Sequence, residues 1–226
     1  VNNATYEQVS VLIQNLRYVA SSEDLMSSVP LGPRTVTVEL VKYPGGTVKG
    51  SAQTTINVID RPALDGNIHS LGNQSADLSA GQITGISVST LLANSGFTDG
   101  DGDASAGTVI AQNASPSAQG AWQYSTDDGV TWHAVGTVSY SSGLALANDA
   151  LVRFVPADGF SGPVGTLMLF PVDDSDPTVV FTDGVARSML NVSNAMHMSP
   201  AIGQGSSRWG VTIEPSTVKT PPVLEA

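Results

Sequence analysis

At 226 residues the chain can form one large β-domain or two modules of ordinary size, and 41% hydrophobic content is enough for real cores. Lys plus Arg number 9 against 20 Asp plus Glu, a net charge of −11 that repels nucleic acid and anionic membranes and suits hard cations with oxygen ligands. The absence of cysteine rules out disulfides, thiolate metal sites and thiol nucleophiles, and no apolar run approaches the ~20 residues of a membrane span.

Sparse aromatics with abundant Gly, Ser, Thr, Val and Asn favour short strands and tight turns. The opening VNNATYEQVS has neither a basic start nor an apolar h-region, and reads as an internal piece of something longer. One helix is expected, and it comes first. Val9, Leu12, Ile13 and Leu16 fall on one helical face, and Thr5 with Gln8 forms a capping-box candidate. RTVTVELVKY then alternates as a half-buried strand, PGGTVKG turns, and AQTTINVID returns antiparallel. A helix and a hairpin within residues 1–60 bury too little to stand alone, so strands from elsewhere are expected to complete this partial module.

Residues 61–67 read as a linker by their Pro, Gly and Asp content. From 68 to 215 the expected strands are ITGISVSTLL, AGTVIAQNA, GAWQYSTDDGVTWHAVG as a hairpin, ALVRFVPA, VGTLMLFPVD, RSMLNVSN and SRWGVTIEP. Short strands at this spacing predict a mainly β protein, an antiparallel immunoglobulin- or cadherin-like sandwich. Residues 216–226 read as a second linker.

STDDGVTW matches S-x-D-x-G-x-T-W through Ser125, Asp127, Gly129, Thr131 and Trp132. The pattern resembles the Asp-box of sialidase propellers, where each copy closes a β-hairpin. Propellers need one copy per blade and arginines to clamp a carboxylate substrate. Here there is a single copy, and Arg17, Arg34, Arg61, Arg153, Arg187 and Arg208 are scattered. Hairpin physics accounts for the motif, with Thr131 bonding back to the loop and Trp132 covering it. It is expected to be a structural clasp.

FTDGDGDASAG places Asp99, Asp101 and Asp103 at alternate positions in a Gly-rich loop, so that three carboxylates can converge on one ion. It is not an EF-hand: position six is Ala104 and position twelve Ile110, where a Gly and a bidentate Glu belong. A β-sandwich Ca²⁺ loop remains, completed by Asp173, Asp174 and Asp176 of PVDDSDPT. The competing reading is a solvated acidic turn, since Asp-Gly pairs turn well without metal. The need of an acidic, cysteine-free chain for cross-links favours the ion.

Catalytic signals are weak. His69, His133 and His197 lack metal-trio spacing, and no G-x-S-x-G elbow occurs. A glycosidase pair among the 20 carboxylates would leave no mark in sequence. The sequons at Asn3, Asn73, Asn113 and Asn191 matter only in a eukaryotic secreted protein, and Met196 and Met198 read as core.

Two blocks carry a family likeness. The first, ATYEQVSVLIQNLRYVASSED with GPRTVTVEL and TTINVIDRPAL, is similar to the second half of a cadherin-like or immunoglobulin-like module of giant secreted bacterial adhesins, including those with repeats-in-toxin tails. The second, LLANSGFTDGDGDASAGTVI through RFVPADGFSG to LFPVDDSD, resembles most of the following module. The first block departs from the pattern at Val41, Lys42 and Tyr43, where such modules carry Asp, and its linker keeps only Asp60 and Pro62. The resemblance implies a non-enzymatic, Ca²⁺-dependent piece of an extracellular adhesin at the bacterial cell surface, serving adhesion or biofilm formation. Its partners would be adjacent modules of the same adhesin.

Two other functions stay open. The sandwich could bind a surface glycan or peptide itself, through Trp122, Trp132 or Trp209, which an exposed aromatic platform would reveal. It could instead be a hydrolase or an accessory domain of one, which requires paired carboxylates or a Ser–His pair in a cleft.

Overall fold

The computed structural model describes residues 34–42, 47–56, 61–75, 79–193, 199, 201–203 and 211–219. The expected helix beginning at Thr5, together with His197, Met196, Met198 and Trp209, lies outside the described residues. The chain divides into two compact units, Val1–Asp60 and Arg61–Ala226.

In the first unit, β1 (Arg34–Lys42) and β2 (Thr47–Ile56) pair antiparallel, as the two alternating runs predict. The register slips between Leu40 and Val41, a bulge that lets the strand bend. Across the ladder Gln53 donates from Nε2 to Thr37 Oγ1 at 3.2 Å.

Among its described residues the second unit is a sandwich built from ten strands. In chain order they are β3 (Ile68–Ser75), β4 (Ile86–Ser87), β5 (Ser105–Asn113), β6 (Gly120–Ser125), β7 (His133–Ala134), β8 (Gly143–Ala147), β9 (Leu151–Pro156), β10 (Leu167–Asp173), β11 (Met189–Leu190) and β12 (Val211–Lys219). One sheet runs β11-β8-β5-β10-β12-β3 and the other β4-β9-β6-β7. Between them lies a core of Trp122, Tyr124, Val152 and Phe154 from the smaller sheet against Ile110, Leu144, Leu146, Leu167 and Leu169 from the larger. Trp122 meets Phe154 edge-on at 5.4 Å, a geometry that ring quadrupoles favour. A second cluster, including Val109, Ala145, Phe170, Val172, Val192 and Ile202, involves the same larger-sheet strands. Val109, Ala145, Phe170 and Val172 alternate with residues of the first core, so β5, β8 and β10 are covered on both faces. That is why these strands read as apolar runs rather than alternating ones.

Three expectations are corrected here. ITGISVSTLL is not one strand: only Ile86–Ser87 is extended, and α1 (Val88–Asn94) follows. Ser87 Oγ accepts from Thr90 N at 3.2 Å as N-cap, and Val88, Leu91 and Leu92 are buried at i, i+3 and i+4. Gly96, at φ 67, ends the helix while Phe97 N returns to Leu92 O, a turn that a side chain would strain. The Val/Ser/Thr composition suggested a strand; burial of the helical face overrides that local preference.

The sandwich is not antiparallel throughout. β12 pairs antiparallel with β10 but parallel with β3, from Thr212↔Ile68 to Lys219↔Ser75. β3 has no strand pattern in IHSLGNQS, and β12 runs through the expected boundary at 215.

The expected linker at 61–67 is fastened to the second unit. Ala63 exchanges two backbone bonds with Thr98, Leu64 is buried, and Arg61 Nη1 donates to Ser199 O at 2.7 Å and Ile202 O at 2.6 Å.

Candidate metal centre

The acidic loop lies between two fixed points, the Thr98–Ala63 bridge and the start of β5. Asp99 organises it. Its Oδ1 accepts from the amides of Asp101 (3.1 Å), Gly102 (3.0 Å) and Asp103 (3.1 Å), so that one oxygen holds three N–H groups. This wraps the backbone round a carboxylate, and Gly102 at φ 93 supplies the turn. The other oxygen, Oδ2, is buried with no hydrogen-bond partner. One carboxylate oxygen each from Asp99, Asp101 and Asp103 lie within 4.8 Å of one another.

The far end of β10 meets this loop. Asp174 Oδ1 accepts from Ala104 N at 2.9 Å, and Asp174 N donates to Ala104 O at 3.0 Å. Asp173, opposite Ser105 in the β5–β10 register, is 1% exposed. Its Oδ1 accepts from Ser175 N (2.9 Å) and Ser175 Oγ (2.6 Å), while its Oδ2 is buried and unpartnered. Asp176 stands apart: Oδ1 accepts from Thr178 N and Oγ1, and Oδ2 from Ser199 Oγ at 2.6 Å. Both its oxygens are committed, one to its own turn and the other to Ser199, 23 residues away, and those bonds lower its pKa.

Burial and mutual repulsion oppose ionisation of the other carboxylates, although Asp173 also feels the favourable charge of Arg61. Burial, then the neighbouring Asp101 side chain, push Asp99 up to about 7, against the backbone bonds that lower it. Asp103 is raised by burial and by the charges of Asp101 and Asp174. Asp173 is raised by burial, partly offset by Ser175, and further by the charges of Asp103 and Asp101. Each therefore resists ionisation, Asp99 and Asp103 where their oxygens converge with that of Asp101 and Asp173 at the adjoining end of β10. The triad can hold a metal ion. A donor set of carboxylate oxygens selects a hard cation, and the orphaned Asp99 Oδ2 is a group such an ion would satisfy; Asp173, Asp174 and Asp176 are not in the cluster of oxygens that lie within 4.8 Å of one another.

The Asp-box hairpin sits on β6 and β7, with Tyr124 opposite His133. Asp127 takes Thr131 N at 2.8 Å, Thr131 Oγ1 at 2.6 Å and Ser125 Oγ at 2.7 Å. Ser125 Oγ accepts from Gly129 N at 2.9 Å, and Trp132 Nε1 donates to Gly129 O at 2.9 Å. These bonds hold Asp127 at about 2, those from Thr131 contributing most. The polar side chains of Ser125, Asp127, Thr131 and Trp132 are all spent on the turn. His133 is half-buried against Tyr124, with ring centres 5.4 Å apart. Trp122 is fully buried, and Trp132 lies under the Arg153 guanidinium, 3.7 Å from its ring centre. Neither offers the open platform that sugar stacking requires.

Compared with known proteins, the chain matches no family model, no curated protein and no solved structure.

Proposed function

We propose that the second unit is a non-enzymatic β-sandwich module whose stability depends on Ca²⁺ held by Asp99, Asp101, Asp103 and Asp173, with Asp174 fastening the loop to β10. What carries this reading is the pair of buried, unpartnered oxygens, Asp99 Oδ2 and Asp173 Oδ2, at the two chain segments that the ion would join. Leaving such groups unpaired costs about 1–3 kcal/mol each, and an ion bound only by the folded state recovers that cost by mass action. Ca²⁺ suits the site better than Mg²⁺, because a Gly-rich loop with many oxygens accommodates irregular coordination at about 2.3–2.6 Å. The likeness of the two sequence blocks to giant bacterial adhesins supplies the setting: a stiffened structural piece of an extracellular surface protein, positioning its neighbours. Asp176 is not among the proposed ligands, because its oxygens are already taken up by Thr178 and Ser199.

The test is thermal melting of the chelated protein titrated with CaCl₂ and, separately, MgCl₂. Ca²⁺ is expected to raise the melting temperature saturably in the range of about 10⁻⁴–10⁻³ M that extracellular modules show. Asp101→Asn should lower the melting temperature in Ca²⁺ and raise it slightly in chelator, by relieving repulsion on Asp99 and Asp103. Identical melting of the parent chain with and without Ca²⁺ would reduce these aspartates to a solvated turn.

A further inference from the structure

Arg153 projects from β9 as a buried cation, 6% exposed, and no acidic side chain lies within ion-pair distance of it among the described residues. Four contacts hold it in one orientation. Nε donates to Gln123 Oε1 at 2.9 Å, Nη1 donates to Ala80 O at 2.7 Å and to Ile83 O at 2.8 Å, and the guanidinium plane lies on Trp132. A guanidinium carries five N–H donors. These bonds use three of them, one on Nε and two on Nη1. The two on Nη2 have no partner among the described residues, nor is that nitrogen among the fully buried orphans.

Arg153 forms one wall of a cavity of about 340 Å³ between the Ala80–Gln82 turn and the tip of the Asp-box hairpin. Thr84 and Asp128 also line it, and their side chains likewise have no hydrogen-bond partner among the described residues. Asp128 is held at φ 55, the one non-glycine residue with positive φ among those described. The tip of the clasp thus presents a carboxylate to the cavity instead of the residue most at ease there.

We propose that this cavity binds a uronic-acid sugar residue, its carboxylate on Arg153 Nη2 and its hydroxyls on Thr84 and Asp128. A buried cation without a counter-ion is stabilised by an incoming carboxylate, and its fixed orientation removes the ordering cost that a free arginine side chain would incur. The volume lies at the small end of ligand sites, suited to a single ring. Free groups that donate, accept, or do both match a ring bearing several hydroxyls. The apolar groups of this cavity, Ala80, Ile83, Val130 and the Trp132 ring, are set around the guanidinium and can pack on a sugar ring's C–H face. The protein's net charge of −11 opposes any anion at long range, so affinity is expected in the millimolar range for the monosaccharide.

The experiment uses the full 226-residue chain and titrates D-glucuronate, D-glucose, N-acetylalanine and sodium sulfate by saturation-transfer NMR and calorimetry. Glucuronate should bind saturably, with glucose weaker by about tenfold or more, the low end of what a charged hydrogen bond contributes. Replacing Arg153 also breaks its bonds to Ala80 and Ile83, so the blocking variant is Gly81→Phe. Gly81 lines the cavity, and a Cβ there meets nothing within 4 Å. Gly81→Phe should abolish glucuronate binding with the melting temperature unchanged, while Asp101→Asn leaves binding intact. Glucose binding as tightly as glucuronate, N-acetylalanine binding tighter, sulfate binding equally well, or no saturable binding of glucuronate would each overturn the assignment.

Discussion

The acidic loop predicts a change of sign in the pH dependence of stability. In chelator Asp99 has a folded pKa of about 7 against an ordinary value of 3.8, and Asp103 and Asp173 are shifted the same way. Between those two values the folded protein binds more protons than the unfolded chain, so stability must fall as pH rises through the window. The full Asp99 shift would be worth roughly 4 kcal/mol at ~1.4 kcal/mol per unit. Asp99 is only half-buried, and solvent screening reduces the expected effect to the order of 1–2 kcal/mol. That corresponds to a few degrees in melting temperature for a unit of this size. With saturating Ca²⁺ the ionised carboxylates are the bound form, and acidification must expel the ion, so the slope reverses. Asp65, held at about 2 first by its bond to His69, and Asp127, also at about 2, do not confuse the measurement. Their stabilisation is present above 3.8 and is lost only as pH falls from there toward 2. The assay is differential scanning calorimetry between pH 5 and 8, in chelator and in Ca²⁺. Melting that rises with pH in chelator, or slopes of equal sign in both buffers, would refute the reasoning.

Other perturbations test the scaffold. Trp122→Ala should cost about 3–5 kcal/mol in urea unfolding, by emptying the core against Phe154. Trp122→Phe should cost less, losing chiefly the Nε1 bonds to Ser115 Oγ (3.0 Å) and Gly165 O (3.3 Å). Asp127→Ala should lower the melting temperature and raise amide exchange at Gly129 and Thr131, leaving Ca²⁺ affinity unchanged. Gly107→Ala should be among the most damaging small substitutions, since its Cβ would sit 2.3 Å from Leu146 O and 2.5 Å from Phe181 Cε1. Overpacking of this kind costs about 1–3 kcal/mol or more, read as a lower urea midpoint.

The features legible in the sequence are those whose partners lie within a few residues. The Asp-box clasp spans Ser125 to Trp132, and each of its bonds joins residues no more than four apart. The Asp99 turn is equally local. Both could be read because residue type and spacing alone determine which donor meets which acceptor. The β1–β2 hairpin was legible from alternation, and β5 and β10 from apolar runs bounded by turn residues. Composition could not separate Asp173 from Asp176: both end β10 in one acidic run, yet the first is buried with a free oxygen and the second is tied to Thr178 and Ser199. That difference depends on Ser199 arriving from 23 residues away. Likewise α1 is helical because the core accepts Leu91 and Leu92, against its strand-like composition. β3 is a strand because β12 comes to lie beside it. Arg153 looks like one scattered arginine until Ala80 and Ile83, 73 and 70 residues away, take its Nη1 protons and leave Nη2 without a partner among the described residues. Sequence determined the turns and the strand runs, where chain connectivity brings the interacting groups together. Only the tertiary structure decided which charges are buried and which donors stay unpaired, because desolvation depends on segments that meet only when the sheets close.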